Sequence, residues 1–409
     1  MKSQKLMFFL LCFLIPFEST KLAAIGGVFT APAGMIVIPF FLIIGFLNLN
    51  KINNLERRGV VIFSVFLLYS LIMSLFFITD YEPSFILDRG SRFILIIIPT
   101  IIVFFICARQ DLETLSKGIW IISSVCLFSL FLSLMFPSTV NNTSFIQISN
   151  ALSPDRLRGF TFEASTFGFQ IVISLMLFSI VNKTSKPLYI IAITFIAFIS
   201  TSKGTLLCFI LSVCIYAILR SHYLLKYILF LVIPFLFIIT FDTYVFPLFA
   251  SDIDNTTSIA TRGTMLFTSL ISLFNYPLGT GFFGYLPSIY ENGLLGIEQF
   301  QNVYPEHINF EEVLRYFISG EVKGVSTKTF FFDWVIFAGW PFILLFFYIN
   351  IKLLNVFLKN DNYSEVICLI FMIISLMTYM SLDARFCIPF AYAFLFLRCK
   401  QSLMQNKSI

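Results

Sequence analysis

Gly59-Val-Val-Ile-Phe-Ser-Val-Phe-Leu-Leu-Tyr-Ser-Leu-Ile-Met-Ser-Leu-Phe-Phe-Ile78 carries no charge and is bracketed by Arg57 and Arg58 on one side and Asp80 on the other. As a helix this stretch is roughly 30 Å long, the thickness of a bilayer's hydrocarbon core. Similar apolar runs lie at about 6–17, 22–47, 59–78, 89–107, 116–136, 165–181, 187–202, 204–219, 224–241, 330–350, 364–381 and 386–398. They are continuous rather than alternating, so they read as helices and not as barrel strands. The expected fold is an all-α polytopic membrane protein with about twelve transmembrane helices and a large extracytoplasmic loop subdomain. Composition agrees: 58% of residues are apolar, only 12% are charged and the mean hydropathy is +0.91. A soluble domain carries about 25% charged residues.

Two runs need a further argument. The first follows Lys2 and Lys5 and has the length of a signal-peptide core, but no small-x-small cleavage site follows it, so it is read as a retained helix. The stretch 187–219 is broken only by Ser200-Thr-Ser-Lys-Gly204. One tilted helix is the rival reading there. Two short passes keep the basic loops 182–186 and 220–226 on the same side of the membrane and are preferred.

Charge sets the expected orientation. With both termini in the cytoplasm, the inner loops hold 16 cations against 5 acids and the outer side 11 cations against 17 acids, which reproduces the net +5. The basic balance is therefore inner-leaflet charge and gives no sign of a nucleic-acid partner. All eight cysteines lie in or beside apolar runs, without zinc spacing, and read as packing residues. No metal or cofactor motif is present. Three regions are expected: helices 1–9 with an outer loop at 137–164 over residues 1–241, an outer cap over 242–329, and three helices with a cytoplasmic tail over 330–409.

The inner loops are short and the two long loops face outward, so chemistry is expected on the outer side. A two-bundle transporter would instead place its main linker in the cytoplasm. Within 242–329, the segment 264–275 puts Thr264, Thr268, Ser272 and Asn275 on one face and reads as an interfacial or re-entrant helix. Tyr276-Pro-Leu-Gly-Thr-Gly-Phe-Phe-Gly-Tyr285 reads as a glycine turn. Asn309-Phe-Glu-Glu312 reads as the capping box of a short helix ending near Gly320.

Arg92, Arg156, Arg158, Lys203 and Arg262 stand on the side that otherwise rejects positive charge. Each taken alone reads as a snorkelling residue or as the partner of an acid such as Asp88, Asp155 or Glu163. Gathered at one mouth, they suit a phosphate or diphosphate, because the guanidinium fork matches phosphate oxygens. Glu163 reads either as an acid favoured at a helix start or as a carboxylate that takes a proton from a hydroxyl beside the arginines. His307 reads as a solvated loop residue or as a second candidate base. Asp333 and Asp383 read as partners of Lys328 and Arg385.

Four segments resemble the O-antigen polymerase family, whose relatives are the O-antigen ligases. They are Arg158-Gly-Phe-Thr-Phe-Glu-Ala-Ser-Thr-Phe-Gly168, Thr201-Ser-Lys-Gly204, Arg262 through Pro277-Leu-Gly-Thr-Gly-Phe-Phe-Gly284, and Phe331-Phe-Asp-Trp-Val-Ile-Phe-Ala-Gly-Trp-Pro341. The resemblance covers about 150–350, in family order and on the expected outer side. The spacing departs from the family's paired Arg-x10-Gly pattern, with nine residues between Arg158 and Gly168 and sixteen between Arg262 and Gly279.

The resemblance implies a glycosyltransferase of the bacterial inner membrane that polymerises undecaprenyl-diphosphate-linked oligosaccharide repeat units of a surface polysaccharide such as O-antigen. Arg158, Arg262, Lys203, Gly279 and Gly281 would then contact diphosphate or glycan. A chain-length regulator and a flippase would be its partners. Two alternatives stand beside it. A ligase would transfer glycan to a lipid A core, but the ligases carry a histidine where this chain has Gly324-Val-Ser-Thr-Lys-Thr329. A flippase of the lipid-linked unit should lack so large an outer cap.

Overall fold

The computed structural model describes residues 2–18, 20–21, 33, 54–77, 81–144, 146–151, 156–221, 258–304, 309–318, 325–382 and 386–405. Among these residues the order is α1 (Lys2–Leu14), α2 (Asn54–Phe77), α3 (Pro83–Ala108), α4 (Leu112–Met135), α5 (Pro137–Asn141), α6 (Ala164–Val181), α7 (Lys186–Ile199), α8 (Lys203–Arg220), α9 (Ser258–Asn275), α10 (Tyr285–Val303), α11 (Glu311–Ile318), α12 (Phe330–Lys359), α13 (Tyr363–Thr378) and α14 (Cys387–Gln405). An isolated antiparallel bridge joins Thr20 to Gln147. Ten of the expected runs become helices, while the runs at 22–47 and 224–241 lie outside the described residues, apart from Ala33. Among the described residues, six helices (α2, α3, α4, α6, α8 and α12) are long and apolar enough to cross a membrane. The chain is therefore a polytopic helical membrane protein.

The hub is α6. Apolar all round, it packs against α4, α7, α8, α13 and α14, and 78% of its most apolar window is buried. By contrast, only 17% of the corresponding window of α2 is buried, and residues such as Val60, Ile62 and Leu68 face outward. The first run joins the bundle: Phe8 and Cys12 are fully buried where α1 crosses α4 at Gly118. The stretch 187–219 forms two helices that pack on each other, with Thr201 in the left-handed region (φ 55°) at the turn. The stretch is therefore two helices rather than one tilted helix.

Bonds between loops join segments that the charge pattern assigned to one side. Glu56 pairs with Arg109, Asp361 with Arg220, and Glu365 with Arg398 at 2.8 Å, all on the expected inner side. On the other side, Glu18 N–H donates to Phe160 O at 3.0 Å and Leu157 N–H to Thr201 Oγ1 at 2.9 Å.

The α9 helix departs from expectation. Its polar face does not look toward lipid headgroups: Thr264 and Thr268 are fully buried and Ser272 nearly so, while Phe274 is 75% exposed. That face meets α10, a helix the sequence reading did not resolve. Ser272 and Ser288 hydroxyls lie 2.6 Å apart, Asn275 Nδ2 donates to Asn292 Oδ1 at 2.7 Å, and Gly296 lets Thr268 come close. Small polar residues bring two helices together and satisfy each other's hydrogen bonds, as in membrane helix pairs.

The glycine turn 276–281 docks on a break in α12. Pro341 has no N–H for the Phe337 carbonyl, and Gly339 takes φ 53°, ψ −141°. The freed groups find partners in the turn. Ile336 O accepts from Thr280 N–H (2.8 Å) and Oγ1 (3.1 Å), Phe337 O accepts from Gly281 N–H (2.9 Å), and Trp340 N–H donates to Pro277 O (2.9 Å). Buried backbone groups must be paired, so the break and the turn require each other.

Candidate functional site

The loop 137–163 is organised around Arg158, which is only 2% exposed. Its Nε donates to Val140 O at 2.9 Å, and its Nη2 donates to Asn141 O at 3.1 Å and Ser149 O at 2.6 Å. Burial lowers the pKa of this guanidinium from its ordinary value. Gln147 Nε2 closes the same loop on Gly159 O at 2.8 Å. The left-handed φ of 52° at Gly159 seats it against the Phe167 ring.

Two residues earlier, Arg156 leaves this loop. Its neighbour Leu157 is bonded to Thr201, so Arg156 stands beside the turn that opens α8. That helix begins with Lys203 and Gly204 and has no acid in its first turn. The Ser202 hydroxyl is 2.7 Å from Thr205 Oγ1, which is 3.0 Å from the Tyr379 hydroxyl. Gly168 gives the turn room, because a Cβ there would meet Ser202 and Thr205.

Arg262, in the first turns of α9, faces this junction. Burial lowers its pKa, Glu163 and Glu312 oppose that shift, Arg156 adds to it and Tyr379 opposes it, so all four lie within electrostatic range. The Nε atoms of both Arg156 and Arg262 are buried without a hydrogen-bond partner. Glu163 is the N-cap residue of α6; its side chain is exposed, makes no capping bond and accepts from the Ser165 hydroxyl at 3.1 Å.

The structure thus brings together Arg156, Arg262 and Glu163, with Lys203 at the neighbouring helix start. Arg158 lies two residues from Arg156, with Nε and Nη2 donating into the loop and Nη1 buried without a hydrogen-bond partner. Arg92 pairs with Asp88 one turn earlier on α3, at 3.1 Å. Gly279 and Gly281 stand at the break in α12: their N–H groups donate to Tyr276 O (2.8 Å) and Phe337 O (2.9 Å), and any Cβ would strike backbone. His307, Asp155, Asp383 and Arg385 lie outside the described residues.

Several site residues had no signal of their own in the sequence. Glu312 was legible only as part of a capping motif, of which the structure keeps Asn309 accepting the Glu311 N–H at 2.9 Å. Here it accepts from the Tyr316 hydroxyl at 3.0 Å and pairs with Lys328 at 3.3 Å. Lys328 was expected to pair with Asp333. Asp333 is instead fully buried and accepts from the Tyr285 hydroxyl at 2.5 Å, and from Thr327 N–H at 3.1 Å and Oγ1 at 2.8 Å. A lysine would lose its hydration in that pocket; two hydroxyls and an amide fill it at lower cost. Arg89, one turn from Arg92, donates to Val325 O at 2.6 Å and stacks on Phe93.

Comparison with known proteins finds a relative in Klebsiella pneumoniae, an uncharacterized 49.5 kDa protein in the cps region. It is 38% identical over 398 residues, spanning 96% of this chain and 92% of that protein. No family model matches the chain. No solved structure matches it either.

Proposed function

The chain belongs to the same family as the Klebsiella pneumoniae cps-region protein, and from that premise we propose that it polymerises lipid-linked repeat units of a surface polysaccharide. The substrate is an oligosaccharide on undecaprenyl diphosphate, and the reaction takes place at the outer face of the bacterial inner membrane. The observation that carries this reading is the junction of Arg156 and Arg262. Both are half-buried, both have a buried Nε without a partner, and two carboxylates lie within electrostatic range of Arg262. A half-buried guanidinium with an unused donor is a ready site for phosphate oxygens.

In the reaction, the bond between the sugar's anomeric carbon and the diphosphate oxygen breaks. Its electron pair leaves with the diphosphate, where Arg156 and Arg262 neutralise the growing charge. A hydroxyl of the second lipid-linked unit forms the new glycosidic bond, and its proton passes to Glu163. His307 is the second candidate for that proton. Lys203 and the open end of α8 add to the anion-binding field.

Deletion of the gene tests the reading. The strain should carry single repeat units in place of polymer. Complementation with Arg262→Ala or Arg156→Ala should leave that phenotype at normal protein level. Full-length polymer from the double variant would overturn the assignment. Polymer accumulating on the carrier lipid in the deletion strain would instead indicate a ligase.

A further inference from the structure

Four described residues other than glycine have positive φ: Lys183, Thr201, Lys328 and Asp361. Three of them directly follow the C-cap of a helix, namely Asn182 for α6, Ser200 for α7 and Asn360 for α12. A left-handed residue there closes the last turn. Lys328 (φ 61°) has no such reason, because it precedes the N-cap Thr329 of α12. A residue with a Cβ is held in this conformation only when its surroundings fix it.

The surroundings do so. On one side Thr327 is tied to the buried Asp333 and Tyr285, and Arg89 holds Val325. On the other side the Thr329 hydroxyl caps Phe332 N–H, and Phe330 N–H donates to Met380 O at 2.5 Å. The backbone of Lys328 is clamped, yet its side chain remains 34% exposed. Its Nζ lies 3.3 Å from Glu312 Oε1 and over the Tyr316 ring. Glu312 is half-exposed and also lies within electrostatic range of Arg262. One carboxylate on the cap helix α11 is therefore paired with the clamped lysine and within electrostatic range of Arg262 on α9.

We propose that Lys328 is a further diphosphate-binding residue of the arginine site, held at rest by Glu312 and passed to the phosphate oxygens when a polyprenyl diphosphate enters. This rests on the function proposed above. The fixed backbone sets where the flexible lysine stem starts, and its compact ammonium can exchange one anion for another without moving the loop. An entering diphosphate competes with Glu312 for both Lys328 and Arg262.

The test is equilibrium binding of undecaprenyl diphosphate to the full-length protein in lipid nanodiscs, with melting temperature measured on each variant. Lys328→Asn removes the charge but tolerates the left-handed backbone. It should melt at or above the wild-type temperature and bind about tenfold more weakly. Lys328→Arg should keep most of the affinity. Glu312→Gln should bind more tightly than wild type.

Wild-type affinity in Lys328→Asn would overturn the proposal, and unchanged affinity in Glu312→Gln would overturn Glu312 as its resting partner. Arg262→Ala separates the two levels. If it weakens binding while Lys328→Asn does not, Lys328 alone is misassigned. If neither variant changes binding, or the wild type does not bind, the diphosphate site itself fails.

Discussion

Replacing Arg158 by alanine should loosen an entire loop. The guanidinium makes three hydrogen bonds to carbonyls of residues 140, 141 and 149. Hydrogen bonds from a charged donor contribute about 1.5–3 kcal/mol each. The truncated loop recovers part of that by opening its carbonyls to water, and the cost of burying the cation disappears. The net loss should therefore fall at about 2–4 kcal/mol, below the simple sum of three bonds.

The damage should be local. The bonds that close the loop, from Gln147 to Gly159 and from Ala151 N–H to Asn141 O, lie within reach of the lost side chain. Limited proteolysis of the detergent-purified protein should show new cleavage within 142–156, with the helices still protected. The apparent melting temperature should fall by several degrees. Arg158→Lys should fall between alanine and wild type, because one ammonium cannot reproduce the fork. A variant that melts like wild type and resists protease equally would refute the idea that Arg158 organises this loop.

Other outcomes can be measured in the same preparations. Gly339→Ala should prevent folding or cost about 3 kcal/mol or more, since a Cβ would run into the Pro277 carbonyl and φ is positive; yield and monodispersity check it. Asp333→Ala should destabilise by about 3 kcal/mol, because it strands the Tyr285 hydroxyl and the Thr327 donors, and Asp333→Asn by less; thermal unfolding decides. A single cysteine introduced at exposed Asn142 should react with an impermeant maleimide in spheroplasts, and one at exposed Lys183 only after permeabilisation. Equal labelling of the two would overturn the orientation.

The apolar runs were legible because lipid leaves the backbone few options: where such a run is described, it is a helix. The break in α12 was not anticipated, because 330–350 reads as one continuous apolar run despite Gly339 and Pro341. The α10 helix was not, because Ser288, Asn292, Gly293 and Gly296 make it look like loop. Its signal was a partner stripe, the Thr264, Thr268, Ser272 and Asn275 face of α9. That face reads as solvent-facing until a second polar helix lies against it.

Sequence by itself determined the membrane class, the helical runs, the sidedness expected from charge, and which cations are expected on the side that otherwise rejects them. Only tertiary structure decided which of those cations share a site. Arg158 and Arg156 are two residues apart, yet one is closed in by carbonyls of its own loop and the other stands beside Arg262. Arg92 and Arg89 divide in the same way between a pair on their own helix and a distant loop. Periodicity can state that a charge lies at a helix mouth. Its partner is set by long-range packing, because a buried donor takes whichever acceptor the fold brings within about 3 Å.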